Sequence, residues 1–185
     1  MGTRNRRCRT GWVRVALGTA LFLAAGHAAA VDGVSITGGG GADASIARVG
    51  IQWDWNQRWL AGENWHLNGY WDLTLAQWFA HSAYQAHDIT NLGFTPVFRL
   101  EQKDQRGVYV DLGMGVNLIS RTSLNYAKHY STAFQFGDQA GLGYRFGGRG
   151  EHDLQLQAQH LSNASIKQPN NGINFFMLRY QYRLQ

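Results

Sequence analysis

The chain has 185 residues, a formal net charge of +5 and one cysteine. Five of its 17 basic residues (Arg4, Arg6, Arg7, Arg9 and Arg14) precede an apolar run, Val15 to Ala25, and with Ala28-Ala29-Ala30 as cleavage site residues 1–30 read as a secretory signal peptide, the run being shorter than the roughly 20 residues of a membrane helix. The remaining domain, 31–185, carries twelve residues of each sign and no cysteine, which argues against nucleic-acid binding, a disulfide framework and a thiol nucleophile.

Along this domain the hydrophobic period is two, which predicts strands. A short first strand is expected at 31–37. In the second, 47–55, Val49, Ile51, Trp53 and Trp55 alternate with Arg48, Gly50, Gln52 and Asp54. The third, 65–75, sets Trp65, Leu67, Trp71, Leu73 and Leu75 against a polar row. The fourth spans 92–100, with a bulge expected at Pro96 because proline cannot donate to a ladder. Strands at 108–118, 132–146, 152–162 and 173–184 complete an even set. The fold class is therefore all-β, an eight-stranded antiparallel barrel with both termini at one rim. Connections at 38–43, 79–88, 120–131 and 163–171 face outward.

Charge placement decides which face is inside. A soluble barrel would coat its polar faces with lysine, yet the only lysines, Lys103, Lys128 and Lys167, fall in expected turns or loops. The polar faces instead carry Arg48, Asp54, Asp72, Arg99, Asp111, Arg145, Arg179 and Arg183, which suit a paired interior network. The aromatic-rich apolar faces suit lipid. A transmembrane barrel in the outer membrane of a Gram-negative bacterium is the consequence, and a soluble ligand-binding barrel is disfavoured.

Polar residues that interrupt a lipid-facing row are expensive and point to function. Leu154, Leu156 and Ala158 lead to His160 and Ser162; the last strand's outward row extends back to Asn174; Asp138 interrupts Phe134, Phe136, Ala140 and Leu142. A turn centred near Arg149 places Asp138 about opposite His160, and pairing across the last loop brings Asn174 close. Serine needs an imidazole to take its proton, and the imidazole needs a third group to orient it. His160 and Ser162, two apart on a strand, face the same way. No histidine spacing suggests a metal site, and no cofactor is implied.

The segment from His160 through Leu161, Ser162, Asn163, Ala164, Ser165, Ile166 and Lys167, followed by Pro169-Asn170-Asn171-Gly172, resembles the C-terminal signature of the PagL family, outer-membrane lipid A 3-O-deacylases. The resemblance implies a serine esterase whose triad lies on the outer surface of the barrel and removes the 3-hydroxyacyl chain esterified at position 3 of lipid A, the membrane anchor of lipopolysaccharide. It makes His160 the base and Ser162 the nucleophile, with Asn163 and Asn170 positioning substrate or forming the oxyanion hole. The family's acid falls at Asn174, an amide here, so Asp138 is the alternative acid. Arg121, Lys128 and Lys167 are candidates to meet lipid A phosphates. A homodimer is left open. The competing class is a noncatalytic structural or adhesion barrel.

Overall fold

The computed structural model describes residues 30–81 and 84–184. The expected signal peptide up to residue 29, Ser82 beside His81, and the terminal Gln185 lie outside them. Eight strands follow in chain order: β1 (Gly33–Gly40), β2 (Ala44–Asp54), β3 (Trp65–Ala80), β4 (Ile89–Gln102), β5 (Gly107–Ile119), β6 (Phe134–Phe146), β7 (His152–Ser162) and β8 (Ile173–Arg183). Each pairs antiparallel with its neighbour in sequence, and β8 closes onto β1 from Gly33↔Arg183 to Gly40↔Phe176. Closure leaves no sheet edge, the condition for backbone that crosses lipid. Gly39 is required at the seam, because a Cβ there would stand 2.2 Å from the Phe176 carbonyl oxygen.

The barrel is inside-out relative to a soluble protein. Leu156 on β7 is 65% exposed while its neighbour Gln155 is 2% exposed, and the same alternation runs through Leu112 beside Asp111 and Leu178 beside Arg179. The interior holds the expected charge network. Arg99 Nε meets Asp111 at 2.7 Å and its Nη1 meets Asp153 at 3.2 Å; Arg145 joins Asp153 at 2.9 Å and Glu101 at 2.7 Å; Arg179 joins Asp72 at 2.8 Å. Tyr70 donates its hydroxyl to Asp111 at 2.8 Å. These desolvated charges survive because each faces a counter-charge and further hydrogen bonds; Arg48, also expected in the paired network, is buried but makes no ion pair among the described residues and bonds the neutral Gln159 instead.

Charge does not fill the whole interior, however. At the end that carries the longer connections the interior is closed by an apolar plug: Ile46, Trp78, Ile89, Ile119, Leu161, Ile173 and Phe175 are buried together, joined from the β5–β6 connection by Leu124 and Tyr130. The sequence reading, which gave the apolar rows to lipid alone, misses this plug. At these strand ends apolar residues stand on both faces, so alternation no longer separates inside from outside. The elements also run beyond their expected ends: β3 continues to Ala80, β4 starts at Ile89, and β1 runs through Gly38 to Gly40.

The expected bulge at Pro96 is absent. Between β4 and β5 the pairing passes from Phe94↔Val116 to Val97↔Gly113, three residues on each strand, so no residue is inserted. The ladder omits Thr95 and Pro96 on that side, while Pro96 still pairs with Trp71 of β3 on the other. Losing ladder contacts on one side suffices to accommodate the missing N–H.

Candidate active site

Three outward residues lie in one row across neighbouring strands. Asp138 of β6 pairs with His160 of β7, and His160 pairs with Asn174 of β8. The short turn between β6 and β7 dictates the first pairing and the β7–β8 register the second. All three side chains are exposed on the barrel exterior, and Ser162, half-buried, lies two residues farther toward the rim that carries the longer connections.

Among the described residues the imidazole has one hydrogen-bond partner. His160 Nδ1 lies 2.7 Å from Asn174 Oδ1, so Nδ1 carries the proton donated to the amide oxygen. Nε2 is thereby left as the nitrogen with the free lone pair. Among the described residues neither an ion pair nor a hydrogen bond joins Asp138 to the imidazole. Gly172 supports the ring from behind: its φ is +36°, and a Cβ added there would approach His160 Cε1 to 2.9 Å. The Ser162 hydroxyl makes no hydrogen bond to Nε2 among the described residues, and such contacts commonly tighten only when substrate is bound.

The two asparagines expected to meet substrate are used inside the loop. Asn163 is 1% exposed, and its carboxamide donates to Ser131 Oγ at 2.6 Å and to the Lys167 carbonyl at 2.8 Å. It braces the loop and is not aimed at the row, a correction to its expected place. Asn170 accepts the Asn163 backbone N–H at 3.0 Å through Oδ1, and its Nδ2 makes only a long bond, 3.3 Å, to Ser165 Oγ. Between them the chain reverses through Ala164 and Ser165, both with positive φ, closed by the Ile166 N–H on the Asn163 carbonyl at 3.1 Å. Lys128 is also engaged, in an ion pair with Asp43 at 2.9 Å, whereas Arg121 and Lys167 are exposed. The neighbouring Tyr130 hydroxyl is pushed well above the usual tyrosine range by burial, with the Asp43 carboxylate adding to the effect, and stays neutral.

Below the polar row the exterior is hollow. Ala140, Ala158 and Phe176 form the next row, and the two alanines leave a groove of about 290 Å³ bordered by Asp138, His160 and Asn174. It continues toward the middle of the membrane past Leu142 and Leu156, where a further 590 Å³ lies open between side chains. The polar row thus borders an apolar groove on the barrel exterior.

The family model for lipid A 3-O-deacylase (PagL) matches residues 45–183. The lipid A deacylase PagL of Pseudomonas aeruginosa is 30% identical over 155 residues, covering 83% of this chain and 87% of that protein. The lipid A deacylase PagL of Bordetella bronchiseptica is 32% identical over 126 residues, 66% of each. The crystal structure of the outer membrane enzyme PagL superimposes with a TM-score of 0.73 at 29% identity, covering 82% of this chain and 99% of that one.

Proposed function

The chain belongs to the lipid A 3-O-deacylase (PagL) family and is an outer-membrane enzyme that deacylates lipid A, and on that premise we propose that Ser162 and His160 carry out the reaction on the lipid-facing surface of the barrel. The carrying observation is the oriented imidazole, with Nδ1 held by Asn174 at 2.7 Å and Nε2 left free of that contact, 3.4 Å from where a Cβ on Gly172 would stand.

The substrate lies beside the barrel in the outer leaflet, its 3-hydroxyacyl chain in the groove under Ala140 and Ala158. Ser162 Oγ attacks the ester carbonyl carbon while its proton passes to His160 Nε2. Asn170 Nδ2, the less committed of the loop carboxamides, supplies a donor to the oxyanion. The tetrahedral intermediate collapses as imidazolium returns the proton to the departing sugar oxygen at position 3, leaving an acyl-serine. Water, deprotonated by Nε2, then attacks the acyl carbon and releases the hydroxy fatty acid, with Ser162 Oγ regaining its proton.

The work of a triad acid is divided. Asn174 fixes the tautomer and plane of the imidazole but carries no charge. Asp138, the cross-strand neighbour with Cβ about 5 Å away, supplies a carboxylate whose field favours imidazolium across an interface of low dielectric. An active site that faces lipid needs no channel, which accords with a plugged interior. Mass spectrometry of lipid A from outer membranes carrying the parent protein or Ser162→Ala tests the assignment. Loss of one hydroxyacyl chain with the parent only is expected; equal loss with the variant overturns it.

A further inference from the structure

The β5–β6 connection, residues 120–133, makes contact with all three other extracellular connections. Lys128 reaches Asp43 between β1 and β2 at 2.9 Å. The Leu124 carbonyl accepts the His87 N–H, between β3 and β4, at 2.9 Å. Toward the β7–β8 connection, Tyr130 pairs with Asn170 in an isolated antiparallel bridge. Leu124 and Tyr130 also anchor the connection in the interior plug, at 0% and 4% exposure. It is therefore fixed against the barrel before it meets the loop that follows Ser162.

The tightest of these meetings is at Ser131. Its hydroxyl accepts from Asn163 Nδ2 at 2.6 Å and donates to the Lys167 carbonyl at 2.6 Å. Asn163 Nδ2 also donates to that carbonyl at 2.8 Å, closing a triangle around a buried carboxamide. Both halves of the bonding capacity of the hydroxyl are used, so neither alanine nor a pure acceptor can replace it. Asn163 directly follows Ser162, and its backbone N–H is held from the other side by Asn170. The peptide unit that aims Ser162 is thus pinned between the two loops.

We propose that Ser131 is a positioning residue for lipid A deacylation: through Asn163 it fixes the orientation of Ser162. The inference rests on the assignment of Ser162 as nucleophile. Ser131 touches Asn163 and Lys167 and not the polar row, so its loss loosens the reacting geometry without removing a substrate contact. Small misplacements of a nucleophile are costly in rate. The effect falls on kcat and leaves KM in place.

The test is steady-state deacylation of purified lipopolysaccharide by the full-length protein in detergent micelles, with barrel folding scored by heat-modifiable migration. Ser131→Ala is expected to lower kcat about ten-fold at constant KM, the order of rate lost when a nucleophile is held slightly off its reacting geometry. Ser131→Thr, which keeps the hydroxyl, restores kcat to within about two-fold of the parent. Asn163→Asp, which keeps the shape but lacks the donor, reproduces the loss independently of whether Ser131→Ala folds. A Ser131→Ala/Asn163→Asp double variant loses no more than either single variant. Parent kcat in Asn163→Asp or in folded Ser131→Ala, a Thr variant as slow as the Ala variant, or losses that multiply in the double variant would each overturn the inference. Activity retained in Ser162→Ala overturns the nucleophile assignment instead, so the two failures are distinguishable.

Discussion

The imidazole of His160 and the carboxamide of Asn174 meet across β7 and β8 at 2.7 Å, on the outside of the barrel. The partner that orients the imidazole is therefore a neutral amide, and Asp138 stands on the opposite flank of the same row. Orientation and charge reside in two residues, and substitutions separate them. Asn174→Ala should lower kcat on the order of 10- to 100-fold by freeing the ring, and Asn174→Glu should restore or exceed the parent rate by combining both roles. Asp138→Asn should lower kcat about ten-fold by removing the field alone. Lipid A mass spectra over a time course measure all three, and a parent rate in Asn174→Ala would remove the orienting role.

Gly172 is the backstop of the imidazole. Its φ of +36° and the 2.9 Å approach of an added Cβ to His160 Cε1 mean that alanine both strains the backbone and displaces the ring. Gly172→Ala is expected to lower kcat by roughly 10-fold or more while the barrel still folds, since a shift of the ring under an ångström misaligns proton transfer. A folded Gly172→Ala protein with parent kinetics would show that the ring tolerates displacement.

The groove under the polar row depends on two small side chains, Ala140 and Ala158. Ala158→Leu fills it where the acyl chain would leave the ester. The expected outcome is a KM raised about ten-fold for long hydroxyacyl substrates and little changed for short ones, the contribution of a few methylene contacts. Comparing ester substrates of two chain lengths measures it. Equal effects on both would place the acyl chain elsewhere.

Arg99 holds the interior network, bonding Asp111 through two nitrogens and Asp153 through a third, with its guanidinium 3.8 Å from the Tyr109 ring centroid. Arg99→Met leaves Asp111 without a counter-charge and Asp153 with Arg145 alone, and should destabilise the barrel by about 3–5 kcal/mol. Urea unfolding in micelles measures this loss. Deacylation per folded molecule should stay at the parent level, because the network is sealed inside the wall while the polar row is outside it.

Much of this was legible in the chain itself. A two-residue period with lysine absent from the polar faces is enough to imply a barrel turned inside out, because lipid on one side and a packed interior on the other demand opposite chemistry at alternate residues. The row of Asp138, His160 and Asn174 also followed from residue numbers: the short β6–β7 turn sets the register of Asp138 against His160, and antiparallel pairing about the middle of the longer β7–β8 connection brings Asn174 beside His160. Two matters needed the tertiary structure. One was which neighbour holds the imidazole, because cross-strand pairing puts both beside His160 and only side-chain geometry chooses Asn174. The other was the fate of Asn163, whose partner Ser131 lies 32 residues away in another connection. The apolar plug escaped for the same reason: Leu124 and Tyr130 enter it from a loop without periodicity, and their burial comes from how that loop folds over the barrel mouth.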